Sequence, residues 1–240
     1  MNIALIGYGR MGKAIEEIAL RRGHTITCKI SSQNLTDFNP RLLQWVDVAI
    51  EFSTPDAAFN NIAQCIDIGV PIISGTTGWL NRKVEIDKMC IEKNGTFLYA
   101  SNFSLGVNMF FEMNKKLAKL MNKYEIYDVE IKEIHHIAKL DQPSGTAITI
   151  AKDIIEHLDR KKVWTITHPI DKHSRNLFIE SVREDPAPGT HMVKYSSDID
   201  DIEIIHTAHS RTGFATGAVH AAEWIFGKKG IYEMKDVLEL

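Results

Sequence analysis

Up to Tyr99, short apolar runs alternate with amphipathic ones. NIALI (2–6), TITCKI (25–30), VDVAIEF (46–52), VPIIS (70–74) and TFLY (96–99) read as strands, and the nearly unbroken apolarity of the third suits a strand covered on both faces. Between the first two, Met11, Ile15 and Ile18 recur at helical spacing over 10–22. A second helix opens with Thr54 as N-cap and Pro55 in the first helical position and stops at Gly69, and a third is expected over 80–93. This βαβαβ rhythm predicts a Rossmann-like, doubly wound parallel sheet.

Beyond residue 104 the rhythm changes. A long helix is expected over 105–123, with Leu105, Met109, Met113, Leu117 and Leu120 on one stripe. DVEIKEIHH (128–136) alternates like a strand, and a helix follows to Leu158 with Ala147, Ile150, Ala151, Ile154 and Leu158 inward. Strands are expected at 163–168, 177–183 and 201–209, with 171–176 and EDPAPGT (184–190) as surface loops. Strands grouped with few helices predict a C-terminal α+β domain with an open mixed sheet. The small-residue helix GFATGAVHAAEWIFG (213–227) is expected to return to the first domain. The domains expected are 1–103, completed by 211–240, and 104–210 between them.

GYGRMG (7–12) sits after the first strand and at the start of the first helix. In that context Gly7 allows the tight turn, Gly9 lets backbone approach a pyrophosphate, and Gly12 lets helix and strand pack closely. The helix start offers amide hydrogens to phosphates, and Arg10 adds a guanidinium. Tyr8 and Met11 complete the loop. The end of the second strand, CKISSQN, carries no carboxylate for the ribose hydroxyls of NADH. Lys29, Ser31 and Ser32 stand there instead and would tolerate a 2′-phosphate, which favours NADPH or dual use; a merely solvated Lys29 is the other reading. Two further loops follow strand ends: Gly75, Thr76 and Thr77, then Ala100, Ser101, Asn102 and Phe103, where an amide and an aromatic face could meet a nicotinamide.

The segment EIHHIAKLDQPSGTA (133–147) gathers His135, His136 and Lys139 before a helix opened by Ser144, Gly145 and Thr146. Imidazole donates protons near neutral pH, lysine supplies positive charge, and a helix start suits a carboxylate. Together they describe a pocket for an anion that gains a proton. Adjacent histidines without a nearby cysteine or paired histidine are poor zinc ligands, so no metal is expected. Surface histidines on a loop remain the bland alternative.

Composition narrows the classes. The chain of 240 residues has a net charge of −3, which gives no global pull toward nucleic acid or anionic lipid. No apolar run approaches the roughly 20 residues of a membrane span. Three cysteines, Cys28, Cys65 and Cys90, without CxxC spacing, read as reduced thiols; with no export signal at the start, this points to the cytoplasm.

Taken in order, GYGRMG, GTTG, ASNFSLGVN, EIHHIAKLDQPSGTA and SRTGFATGAV resemble the dihydrodipicolinate reductase family of bacterial lysine and diaminopimelate synthesis. The HH…K…PSGT signature is the specific part; the glycine loop alone is not. The resemblance implies a dinucleotide domain and a substrate domain whose open sheet builds a homotetramer. It implies NADPH- or NADH-dependent reduction of a small cyclic dicarboxylate. His135 would be proton donor and acceptor and Lys139 a proton donor. His136, Gly145 and Thr146 would bind substrate carboxylate, and the loops 7–12, 75–77 and 100–103 the cofactor. Arg211 and Phe214 would complete the nicotinamide side. Segment 171–200 looks shorter than the family's, with EDPAPGTHMV in place of a more regular strand pair. Another two-domain oxidoreductase and a non-catalytic dinucleotide sensor are the competing classes.

Overall fold

The computed structural model describes residues 1–34, 38–169, 174–210 and 212–240. It divides into two compact units, Met1–Leu105 with Arg211–Leu240, and Gly106–Ser210.

The first unit holds a six-stranded, all-parallel sheet. In chain order its strands are β1 (Asn2–Ile6), β2 (Thr25–Ile30), β3 (Val48–Glu51), β4 (Ile72–Ser74), β5 (Thr96–Tyr99) and, after the excursion into the second unit, β11 (Gly230–Tyr232). Their spatial order is β11-β5-β4-β3-β1-β2. Alternation along β1 divides the core: Ile3 and Leu5 face α1 (Arg10–Arg21) and α7 (Thr212–Ile225), while Ala4 and Ile6 face α3 (Pro55–Ile68) and α4 (Lys83–Glu92). A short α2 (Pro40–Leu43) and the closing α8 (Met234–Leu238) complete the helices of this unit. Gly69 ends α3 in the left-handed conformation, as its sequence predicts. Thr54 occupies the N-cap position but makes no capping bond with its side chain. The small residues Ala215, Ala218, Ala221 and Ala222 bury one face of α7 against this sheet, so the helix does return to the first unit.

The second unit is a mixed sheet of order β10-β9-β6-β8-β7, built from β6 (Asp128–His135), β7 (Val163–Thr165), β8 (Asn176–Arg183), β9 (Gly189–Ser196) and β10 (Asp201–Ala208). β9 runs antiparallel to both β6 and β10, whereas β6, β8 and β7 are parallel. Helix α6 (Gly145–His157) buries Ala147, Ile150, Ala151 and Ile154, and Leu158 just after it is equally buried. Val129 and Ile131 of β6, Ile179 of β8 and Val193 and Tyr195 of β9 line the buried side of the sheet. The opposite side carries ion pairs such as Lys132–Glu180 (2.9 Å) and Lys194–Asp201 (2.8 Å).

Three expectations need correction. The segment 184–190 is not loop throughout: Gly189 begins β9, an eight-residue strand whose hydrogen bonds with two neighbours override the turn-prone DPAPG run that ends on this glycine. The expected replacement of a strand pair by EDPAPGTHMV fails for the same reason. Helix α5 (Leu105–Met121) buries Val107, Phe110, Phe111, Ala118 and Met121, whereas Leu105, Met109, Met113 and Leu120 are exposed and Leu117 is half-buried. The helix is apolar on two sides, and the side with two phenylalanines has more surface to remove from water. Part of the expected 171–176 loop, residues 171–173, lies outside the described residues.

Candidate active site

In the first unit the glycine loop meets its steric requirements directly. Gly7 has φ +93°, and a Cβ there would lie 2.0 Å from the carbonyl oxygen of Phe52. A Cβ on Gly12 would lie 2.4 Å from the carbonyl oxygen of Gly7. Gly9, the N-cap of α1, differs: a Cβ there would meet no protein atom within 4 Å. No described protein atom requires its side chain to be absent, whereas a ligand lying against the backbone of this helix start would. Arg10 and Met11 form the first turn of α1, with no acidic residue in that turn to oppose an anion. The loop therefore fits a dinucleotide.

Tyr8 turns toward the end of β2, where it hydrogen-bonds Glu16 through its hydroxyl. Lys29 pairs with the same carboxylate at 2.6 Å and lies over the Tyr8 ring at 4.9 Å. The second strand lacks a carboxylate, as expected, but α1 supplies one beside Lys29.

The loop after β4 is held from below by Glu51, a fully buried carboxylate at the end of β3. It accepts hydrogen bonds from Ser74 Oγ (2.6 Å), Thr76 Oγ1 (2.9 Å) and the amide of Ser53 (2.9 Å). Thr76 thus turns its hydroxyl inward, while Thr77 is exposed and Gly75 donates its amide to the carbonyl of Glu51. Phe103 is 2% exposed and packs on Phe52 at 5.5 Å between ring centroids, so its ring belongs to the core. Asn102 receives the amide of Ser104 on its side-chain oxygen (2.9 Å), beside Ala100 and Ser101. Phe214 is half-buried in α7; Arg211 lies outside the described residues.

In the second unit β6 begins apolar and ends ionisable on the same face: Val129, Ile131, Glu133, His135. Glu133 is fully buried. It accepts the amide of Ser144 (3.1 and 3.2 Å) and lies 3.3 Å from the Arg183 guanidinium. His135 Nε2 lies 3.5 Å from Glu133 Oε2 and 3.3 Å from His191 Nε2, and Ser144 Oγ is also 3.3 Å from that His191 nitrogen. Ser144 caps α6 by accepting the Ala147 amide (3.1 Å), which sets Gly145 and the buried Thr146 at the helix start. The strand ends at His135, so His136 sits on the following turn, its amide donated to Ala187. Lys139 pairs with Asp141 at 2.7 Å.

The electrostatics of the network follow from burial. Burial, then the neighbouring His135, push the His191 pKa down to about 3, so this imidazole stays neutral. Burial works against the charged form of Glu133, but hydrogen bonds from His135 and Ser144 outweigh it and hold the carboxyl well below its usual range. Both groups are depressed, so the unfolded chain binds more protons in acid than the fold does. The stability they contribute is complete above about pH 6.5, where an unfolded histidine is neutral, and drains away toward about pH 3. The midpoint of denaturant unfolding should therefore fall as pH drops through this window. His191→Gln should flatten the fall between pH 6.5 and 4.5, the ordinary values of the two groups. An unchanged slope in that variant would count against a neutral buried His191.

Sequence reasoning missed Arg183 and His191 and gave Glu133 no role. The signal for Glu133 was its two-residue spacing from His135 on an alternating strand; the other two arrive from strands far along the chain. His191 also supplies the paired histidine whose absence argued against zinc. Donor atoms of Glu133, His135 and His191 converge within 4.8 Å. The carboxylate is nevertheless already shared by Arg183 and the Ser144 amide. His191 Nδ1, which a metal-bound imidazole would donate to an outer acceptor, is buried without a partner. The arrangement is that of a hydrogen-bonded support for His135.

Two family models cover the chain: dihydrodipicolinate reductase, N-terminus, over residues 1–103, and dihydrodipicolinate reductase, C-terminus, over residues 106–238. The chain is 51% identical to the 4-hydroxy-tetrahydrodipicolinate reductase of Christiangramia forsetii, across 99% of this chain and 98% of that one. It is 35% identical to that of Neisseria gonorrhoeae, across 94% and 84%. The fold matches a dipicolinate-bound dihydrodipicolinate reductase from Paenisporosarcina sp. TG-14 with a TM-score of 0.74 over 97% of both chains, at 22% identity. From the N-terminal glycine loop to the C-terminal helices, the chain belongs to the dihydrodipicolinate reductase family of oxidoreductases.

Proposed function

We propose that the protein reduces 4-hydroxy-tetrahydrodipicolinate to tetrahydrodipicolinate in lysine and diaminopimelate synthesis, using NADPH or NADH. The observation that carries this reading is His135 seated on the buried Glu133–His191 pair, with Lys139 and the start of α6 following within a few residues. A similar protein of known structure binds dipicolinate, a planar dicarboxylate, and an anion of that kind suits a lysine, an imidazole and a helix start together.

The nicotinamide, when bound, supplies the hydride. The backbone of Gly7, Tyr8, Gly9, Arg10, Met11 and Gly12 would receive the pyrophosphate. The loops Gly75–Thr76–Thr77 and Ala100–Ser101–Asn102–Phe103 would hold the nicotinamide, with backbone and polar groups rather than the Phe103 ring, which is buried. His136, Gly145 and Thr146 bind a substrate carboxylate. His135 and Lys139 donate the protons that follow reduction of the ring. Protonation by a placed imidazole contributes about 10² to 10⁴ in rate.

For cofactor choice, Lys29 offers an ammonium to a 2′-phosphate while Glu16 competes for it at 2.6 Å. Both cofactors are therefore used, with kcat/KM for NADPH at least equal to that for NADH. Lys29→Ala should lower the NADPH-to-NADH ratio; a wild-type enzyme with a strong NADH preference would contradict this assignment. The side of the second sheet that carries Lys132, Glu180 and Lys194 is the surface we assign to homotetramer formation. Among the described residues no helix is long and apolar enough to cross a membrane, and we place the enzyme in the cytoplasm.

The reading is tested by following the absorbance of the reduced nicotinamide with purified protein and the heterocycle. Another amino- or keto-acid oxidoreductase would consume cofactor with a different substrate, and a dinucleotide sensor would consume none.

A further inference from the structure

We propose that Arg183 is a positioning residue that fixes the two proton-donating groups, His135 and Lys139, relative to each other. The inference rests on the reductase reading above but concerns a residue for which that reading has no use.

Arg183 is the last residue of β8 and lies directly opposite His135 in the parallel register of β8 with β6. Its side chain is 16% exposed. The guanidinium reaches four acceptors. One terminal nitrogen donates to Glu133 Oε1 (3.3 Å), the carboxylate whose other oxygen faces His135. The same nitrogen donates to the carbonyl of Asp141 (2.6 Å), and Nε donates to the carbonyl of Lys139 (3.4 Å). The second terminal nitrogen returns to the carbonyl of Val182 (2.9 Å) and fixes the plane of the group. One rigid fork thus spans the carboxylate beneath the imidazole and the backbone of the turn that bears the lysine. Lysine could not substitute, because a single ammonium lacks the planar spread of donors.

The chain just beyond Arg183 reinforces the arrangement. Glu184 donates its amide to the carbonyl of His135 (2.8 Å), and Ala187 accepts the amide of His136 (2.9 Å). Asp185 accepts the amide of Ile137 on its side chain (3.3 Å). The turn from His136 to Asp141 is therefore carried by the segment that starts at Arg183. Nothing in the geometry makes Arg183 touch substrate; it acts through Glu133 and through the two carbonyls.

Loss of the fork should lower kcat without weakening cofactor binding, because the glycine loop belongs to the other unit. Outer hydrogen-bonding partners of metal ligands change activity by about 10- to 100-fold, and the partner of a proton-donating group is expected to act on the same scale. The test compares wild type, Arg183→Lys and Arg183→Ala with both substrates varied. We expect kcat about tenfold down in each variant, KM for NADPH unchanged, and partial recovery of kcat in Arg183→Ala on adding guanidinium ion. His135→Ala should show no such recovery. A folded Arg183→Lys protein with wild-type kcat would overturn the proposal, whether or not the alanine variant folds. So would an Arg183→Ala protein that guanidinium leaves unrestored and whose KM for NADPH rises in step. A wild-type protein that fails to reduce the heterocycle would instead refute the reductase reading, which separates the two failures.

Discussion

Replacing His135 by alanine is expected to lower kcat by about 10²-fold or more, the scale of a lost general acid. The size of the effect follows from where the imidazole sits. It is 8% exposed, at the end of a strand whose preceding inward residue is a buried carboxylate. Its Nε2 faces both Glu133 and His191, and His191 is too hard to protonate to take its place. Removing the ring leaves an ionised Glu133 short of a partner and no replacement donor at that position. Lys139→Ala is expected to cost about as much, since the ammonium is the other proton source in this segment. Steady-state kinetics with the heterocycle varied at saturating NADPH measure both. Turnover close to wild type in His135→Ala would remove its assigned role.

Gly9→Ala should raise KM for both cofactors by about tenfold or more while lowering the thermal midpoint by no more than about a few degrees, the scale of a poorer N-cap. The added methyl meets no protein atom within 4 Å, so the fold has room for it. It projects from the N-cap of α1, where a pyrophosphate would otherwise lie against backbone, and a methyl of that size costs about 1–3 kcal/mol when overpacked. Gly7→Ala makes the control. Its Cβ would meet the Phe52 carbonyl oxygen at 2.0 Å from a backbone with φ +93°, so both stability and cofactor binding should fall. Thermal melts and cofactor titrations of the two variants separate a steric need of the fold from a steric need of the ligand. A Gly9→Ala protein that binds cofactor like wild type would argue against the glycine loop as the dinucleotide site.

The first sheet was legible because its strands are buried on both faces and punctuated by Gly7, Thr54–Pro55 and Gly69, signals that local physics sets within a few residues. The PSGT turn was legible for the same reason: Ser144 caps the helix it precedes. What stayed hidden depends on pairing at a distance. Arg183 and His191 reach Glu133 across strands whose register no local pattern encodes, and the DPAPG run that ends at Gly189 masked the strand that carries His191. The pairing of Lys29 with Glu16 is invisible in the strand's own sequence because the partner comes from the neighbouring helix. On α5 an apolar stripe was visible, but two such stripes exist, and choosing between them needs the volumes of Phe110 and Phe111 set against the partner surface. In sequence Phe103 offers an aromatic platform for a ligand, yet its neighbour Phe52, off the motif, draws it into the core.

The central claim is hydride transfer from a reduced nicotinamide to a cyclic dicarboxylate. Its most direct test mixes purified protein, NADPH and 4-hydroxy-tetrahydrodipicolinate and follows the near-ultraviolet band of the reduced cofactor. The band should decay when all three are present and persist when protein or heterocycle is left out. Persistence of the band in the complete mixture, with folded protein, NADPH and NADH each tried, would contradict the claim.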